Sequence, residues 1–167
     1  MQVQPNNPVI VQGDGKILVE ANHPKYEQTR DFLGRFAELE SSPELLHTYR
    51  ITPLSLWNAA SVGMQPEEIV TELQKASKFI LPSDIVEMIS ETITRYGLVQ
   101  LIEHPTNPTE LLRLNFATAY IAKVVSQDQR LRPLLVADDR HWAIQVGHRG
   151  VFKQRALLSK WPIEDLA

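Results

Sequence analysis

The stretch His47-Thr48-Tyr49-Arg50-Ile51-Thr52-Pro53-Leu54-Ser55-Leu56-Trp57-Asn58-Ala59-Ala60 changes character at its centre. Residues 47–51 alternate and are rich in β-formers, which predicts a short strand. Thr52 is a good helix cap, and Pro53 a good first residue, because the first turn has no use for a proline N–H. Leu54, Trp57 and Ala60 then share one helical face, predicted to turn inward, and Gly63 supplies the stop. Downstream, Pro66-Glu67-Glu68 opens a second helix with acids in its first turn, where the helix dipole favours them. Its apolar stripe is Ile69, Leu73 and Ala76. Pro82 opens a third helix, with Ile85, Ile89, Ile93 and Tyr96 inward and Gly97 as its end. Leu98 to Glu103 and Glu110 to Asn115 read as two strands around the loop His104-Pro105-Thr106-Asn107-Pro108. A strand followed by three helices and two strands is the plan of a winged helix.

Upstream, Pro8 to Gln12 and Lys16 to Glu20 are apolar runs around Gly13-Asp14-Gly15, the pattern of a hairpin. Tyr26, Leu33, Phe36 and Ala37 lie at helical spacing, so a helix is expected over 24–40, broken by Ser41-Ser42-Pro43. Toward the other end, Phe116 to Gln127 reads as a helix. Pro133 to Ala137 and Trp142 to Val146 read as strands joined by Asp138-Asp139-Arg140-His141. A last helix is expected over 151–160. Ile163 to Ala167 resembles a first helical turn without a C-cap, as at a truncated end. The expected fold is α+β: a winged-helix-like unit at 1–115 and a small α/β unit at 116–167.

The sequence has 167 residues, of which 43% are hydrophobic and 22% charged, enough for one medium domain or two small ones. No run of about 18 apolar residues occurs, so no membrane partner is expected. Met1 to Asn7 lack the charged start and apolar stretch of a signal peptide. With no cysteine, disulfides, thiolate catalysis and zinc–thiolate sites are excluded, and a cytoplasmic location is the default. Residues 1–115 hold 9 Lys and Arg against 15 Asp and Glu, a balance of −6. Residues 116–167 hold 8 against 5, a balance of +3, as two functional units would.

Independent catalysis finds no support. The only Gly-Lys pair, Gly15-Lys16, has Ile10 where a phosphate loop needs glycine and Ile17 where it needs Ser or Thr. No dinucleotide fingerprint or Gly-x-Ser-x-Gly elbow is present, and no cofactor is expected. The five histidines, His23, His47, His104, His141 and His148, show no metal-ligand spacing and read as exposed or capping. Asp138-Asp139 reads as a turn before it reads as a cation site.

The stretch at 47–60 resembles a segment of XPB/Ssl2-type DNA repair helicases, the bacterial members above all. Asn7 to Gln12, Phe36 to Glu40, Arg95-Tyr96-Gly97 and Trp161 to Ala167 resemble further pieces, in the family's order. The resemblance implies an ATP-dependent 3′→5′ helicase whose motor domains lie outside these residues. It implies an accessory N-terminal domain, which in eukaryotes docks onto another TFIIH subunit, followed by a damage-recognition-like segment. Expected partners are therefore DNA, through its backbone, and either motor domains in cis or a repair protein.

Two surfaces are candidates for those roles. On the third helix Asp84, Glu87 and Glu91 fall with Arg95 within about 80° of the wheel, an acidic face suited to protein rather than phosphate. On the last helix Arg149, Lys153 and Lys160 fall within about 40°, a basic stripe suited to a phosphate backbone. Arg155 lies off the stripe and Arg140 in the preceding turn; both join the candidate DNA-binding set. The expected function is a non-catalytic DNA- and protein-targeting module. The alternative is a stand-alone protein-interaction adaptor without DNA contact.

Overall fold

In the computed structural model, which describes residues 3–167, the chain divides between Thr94 and Arg95 into two units. The first contains β1 (Val9–Val11), β2 (Lys16–Glu20), α1 (Tyr26–Leu33), β3 (Glu38–Ser41) and β4 (Leu46–Arg50). Three helices follow, α2 (Pro53–Ser61), α3 (Pro66–Ala76) and α4 (Ser83–Arg95), the last residue of α4 belonging to the second unit. The sheet is antiparallel throughout, in the order β1-β2-β4-β3. Its hairpin turn needs Gly15, which sits at φ 89 where a β-carbon would lie 3.0 Å from the Ile51 carbonyl oxygen. Val9, Ile17, Val19, Leu56, Leu73 and Ile89 are fully buried.

The start of α2 follows its cap. At α2 the Thr52 hydroxyl accepts from the Ser55 N–H at 3.0 Å, and the Ser55 hydroxyl accepts from the Thr52 N–H at 2.9 Å. That box sets the buried stripe as Ser55, Leu56, Ala59 and Ala60. Leu54, expected inward, is 43% exposed, and Trp57 is half-buried. Gly63 and Gly97 both have positive φ beyond the ends of α2 and α4, as expected of stops.

The expected helix over 24–40 is shorter. It ends at Leu33, and Glu38–Ser41 pairs with β4, Glu38 opposite Arg50 and Leu39 opposite Tyr49. An Arg50–Glu40 ion pair joins the same two strands. Cross-strand pairing, absent from local periodicity, decides this segment.

The second unit holds β5 (Val99–Glu103), β6 (Leu111–Phe116), α5 (Ala119–Ser126), β7 (Val136–Asp138), β8 (His141–Gln145), α6 (Arg149–Leu158) and β9 (Ile163–Asp165). Its strand order is β7-β8-β6-β5-β9, antiparallel except for the parallel pair β5–β9. Val99, Leu101, Leu112, Leu114, Ile144 and Ile163 cluster with Ile121, Val125, Phe152 and Ala156 from α5 and α6.

Three expectations are corrected here. The strands expected as the wing of the first unit are central in the second sheet, β6 pairing with β5 on one side and β8 on the other. The two compact units divide at 94/95, and the apolar faces of β5 and β6 are buried beneath α5 and α6. Residues 163–165, expected to begin a helix, form a strand: Ile163 lies opposite Val99 and Asp165 opposite Leu101. Pro133 and Leu134, expected in a strand, belong to a 3-10 turn, Arg132–Leu134, that leads into β7. The charge division survives the shift. Residues 1–94 hold 7 Lys and Arg against 13 Asp and Glu, and residues 95–167 hold 10 against 7.

Candidate nucleic-acid interface

The five basic residues singled out by sequence sit in different settings. Arg149 and Lys153, one turn apart on α6, both reach the same carboxylate. Arg149 donates to Asp165 through Nε and Nη2, each at 2.7 Å, and Lys153 Nζ donates to Asp165 at 2.9 Å. Burial alone would raise the Asp165 carboxyl. The hydrogen bonds from Arg149 and Lys153, with the Ala167 N–H, outweigh it and hold the group at about 2. The strand β9, unrecognised in the sequence, is what brings Asp165 to α6.

Lys160 lies beyond the end of α6, at φ 64, so the helical wheel does not apply to it. Its side chain is exposed, and its carbonyl accepts from Arg95 Nη1 at 3.0 Å. The Arg95 guanidinium stacks over the Trp161 ring at 4.4 Å. Arg155 Nη1 donates to the Arg130 carbonyl at 3.3 Å, and Arg130 Nη1 to the Ser159 hydroxyl at 3.5 Å. Arg155, Arg130 and Lys160 therefore gather at the C-terminal end of α6.

Arg140 lies elsewhere, in the tight turn between β7 and β8, where Asp139 takes a positive φ of 55. It lines a cleft of about 260 Å³ with Leu114, Phe116, Thr118 and Trp142, beside the start of α5. The Thr118 hydroxyl caps that helix, accepting from the Ile121 N–H at 3.1 Å.

A buried polar cluster went unread in the sequence. His104 is 4% exposed. Its Nδ1 accepts from the N–H groups of Thr106 at 3.2 Å and Asn107 at 2.9 Å, which leaves Nε2 as the donor to Asp138 at 2.8 Å. Arg113 donates to the same Asp138 oxygen through Nε at 3.2 Å and Nη2 at 3.0 Å. Arg113 lies opposite Ala143 on the strand between, and that small side chain leaves room for the guanidinium to cross. The Arg113 hydrogen bonds, opposed by burial and helped by His104, hold the Asp138 carboxyl below its ordinary range. No local pattern could have joined residues 34 apart in sequence.

On α4, Asp84 and Glu87 are exposed and Glu91 is half-buried. Among the described residues no group of three His, Asp or Glu is placed to hold a metal ion. Nor, among those residues, is any helix long and apolar enough to cross a membrane.

Residues 9–139 match the family described as "Helicase conserved C-terminal domain". The chain is 38% identical over 164 residues to the DNA 3′-5′ helicase XPB of Mycobacterium tuberculosis, covering 97% of this chain and 29% of that protein. It is 37% identical over 165 residues to the DNA 3′-5′ helicase XPB of Kineococcus radiotolerans, with the same coverage. It is also 42% identical over 97 residues to the general transcription and DNA repair factor IIH helicase/translocase subunit XPB2 of Arabidopsis thaliana, covering 58% of this chain and 13% of that protein. The chain thus spans less than a third of the length of these curated relatives. It belongs to the helicase conserved C-terminal domain family, and its relatives over nearly its whole length are XPB helicases.

Proposed function

We propose that this chain is a non-catalytic module of an XPB-type DNA helicase, its basic second unit contacting the DNA backbone and its acidic first unit contacting protein. The first unit then corresponds to the accessory N-terminal domain and the second to the damage-recognition-like segment. The observation that carries this is the charge division between two separately folded units, −6 against +3, in a chain homologous to DNA helicases. Two features support a non-motor role. Gly15-Lys16 occupies a hairpin turn rather than the start of a helix. Neither sheet has the run of parallel strands at whose carboxyl ends nucleotides bind. DNA is engaged through cations of which Arg140 and Lys160 are exposed and Arg155 half-buried, with Arg149 and Lys153 partly satisfied by Asp165.

A mobility shift of duplex DNA across a salt series tests the DNA half. Binding that weakens steeply with salt and is indifferent to sequence is expected. No shift at low salt would favour the second reading, an adaptor without DNA contact, which the exposed acids Asp84 and Glu87 and the internal capture of Arg149 and Lys153 favour. Replacing Glu87 and Glu91 by Lys should leave DNA binding in place. Its abolition in a folded variant would show that α4 faces DNA.

A further inference from the structure

We propose that Arg130, Arg155 and Lys160 form an anion site at the C-terminal end of α6 that holds a phosphate of a nucleic-acid backbone. The assignment rests on the reading of the second unit as DNA-contacting and names its surface, one that includes Arg130 and leaves out Arg149 and Lys153. The first observation is the helix end itself. The Trp161 N–H donates to the Ala156 carbonyl at 2.8 Å and the Lys160 N–H to the Leu157 carbonyl at 3.0 Å. These two bonds are a Schellman motif, and the residue between cap and closing bond, ordinarily glycine, is Lys160 at φ 64. An L side chain is disfavoured there, and a residue kept in a disfavoured conformation points to a use for its side chain. The backbone at this point is pinned by Arg95, while the lysine side chain is exposed.

The second observation is how the neighbouring cations are held. Among the described residues, the side chains of Arg155 and Arg130 are anchored by neutral oxygens, the Arg130 carbonyl and the Ser159 hydroxyl. Among the described residues no carboxylate pairs with Arg130, Arg155 or Lys160, whereas Arg149 and Lys153 share Asp165. The carboxylate nearest in sequence, Asp128, accepts from the N–H groups of Arg130 at 2.8 Å and Leu131 at 3.2 Å. A helix C-terminus attracts a cation by its dipole, which accounts for Arg155 in the last turn. It does not account for a lysine at a left-handed position, nor for Arg130 arriving from the loop after α5. Cations gathered at one helix end, Arg130 and Arg155 in contact through the Arg130 carbonyl and Lys160 following Ser159 in the chain, repel one another, and an anion among them relieves that repulsion. Two guanidinium forks and one ammonium suit the several oxygens of a phosphate.

The test is the slope of log affinity against log salt for duplex DNA, measured on the full chain. Arg130→Gln with Arg155→Gln and Lys160→Gly should lower that slope by about 0.9, the share of the one phosphate that the site holds, alike for all sequences. Arg149→Gln with Lys153→Gln should leave it unchanged. Lys160→Gly alone should lower it by part of that amount while raising the thermal midpoint, which separates lost binding from unfolding. An unchanged slope in a folded triple variant of a chain that binds DNA overturns this assignment and leaves the DNA reading standing. A parent chain that binds no DNA at low salt overturns both. Inorganic phosphate bound by the parent chain and lost in the triple variant, with the DNA salt slope equal in both, would overturn the backbone as the ligand and make free phosphate the occupant.

Discussion

The two units use their charges in opposite ways. In the first, five of its seven Lys and Arg residues sit in ion pairs among the described residues: Arg30–Asp31, Arg35–Glu68, Arg50–Glu40, Lys75–Glu72 and Lys78–Glu20. Its thirteen acids outnumber these cations, so the excess that remains at the surface is negative. In the second, the carboxylates Asp138 and Asp165 draw Arg113, Arg149 and Lys153 into the framework. Lys123, Arg130, Arg132, Arg140, Arg155 and Lys160 have no carboxylate partner among the described residues. A charge balance counts groups, while the fold decides which of them a partner can reach. The Arg149–Lys153 stripe is correct as a helical wheel, yet its two members are spent on Asp165.

The largest effect that sharpens this contrast is expected at His104. His104→Ala removes a buried ring, strands the N–H groups of Thr106 and Asn107, and takes a hydrogen bond from Asp138. About 3 kcal/mol of stability should be lost, read as the shift of a urea midpoint at constant slope. An unchanged midpoint would mean that the second unit does not depend on its polar cluster. In the first unit, where caps and apolar burial dominate, Trp57→Ala should cost about 2 kcal/mol. That is less than the 3–5 kcal/mol of a fully buried aromatic, because Trp57 is half-buried. A loss equal to that of a core phenylalanine would place Trp57 in the core after all.

How much of this was legible follows from how local each signal is. The hairpin at Gly13–Gly15, the Thr52-Pro53 start and the stops at Gly63 and Gly97 are written in adjacent residues, and each appears where expected. The strands β3 and β9 are written in their partners: Glu38–Ser41 needs β4, and Ile163–Asp165 needs β5. The same dependence moved β5 and β6 out of the first unit. Of the candidate interface, Arg155 and Lys160 were found as charges. Their association with Arg130 required the end of α6 and the loop after α5 to meet, and no periodicity encodes that. The left-handed turn at Lys160 was equally hidden, because lysine does not announce it as glycine would.

A smaller effect, confined to acid, is expected at Asp165. Its folded carboxyl is held at about 2, against an ordinary 3.8. The stabilisation from Arg149 and Lys153 is therefore complete above about pH 4 and is lost as pH falls through about 2. Thermal midpoints of the native chain should fall across that window. Those of Asp165→Asn, which cannot ionise, should be lower at neutral pH and flatter through it. Parallel curves would show that Arg149 and Lys153 take their partners elsewhere, and would return both to the list of cations a phosphate can reach.

The smallest effect has the opposite sign. Lys160 at φ 64 places a β-carbon where the Schellman turn suits glycine. Relief of the left-handed penalty, about 1–2 kcal/mol, is partly offset by the greater freedom of glycine in the unfolded chain. Lys160→Gly should therefore raise stability by about 0.5–1 kcal/mol. Lys160→Asn, whose short side chain tolerates this conformation, should fall between the two, and Lys160→Val should fall below the native chain. The order Gly, Asn, Lys, Val in thermal midpoint is what backbone strain alone dictates, and the turn's two hydrogen bonds are common to all four. A lower midpoint in Lys160→Gly would mean that the lysine stem stabilises the end of α6 by packing. The left-handed lysine would then be explained by the fold itself, and its claim as a phosphate ligand would rest on the salt slope alone.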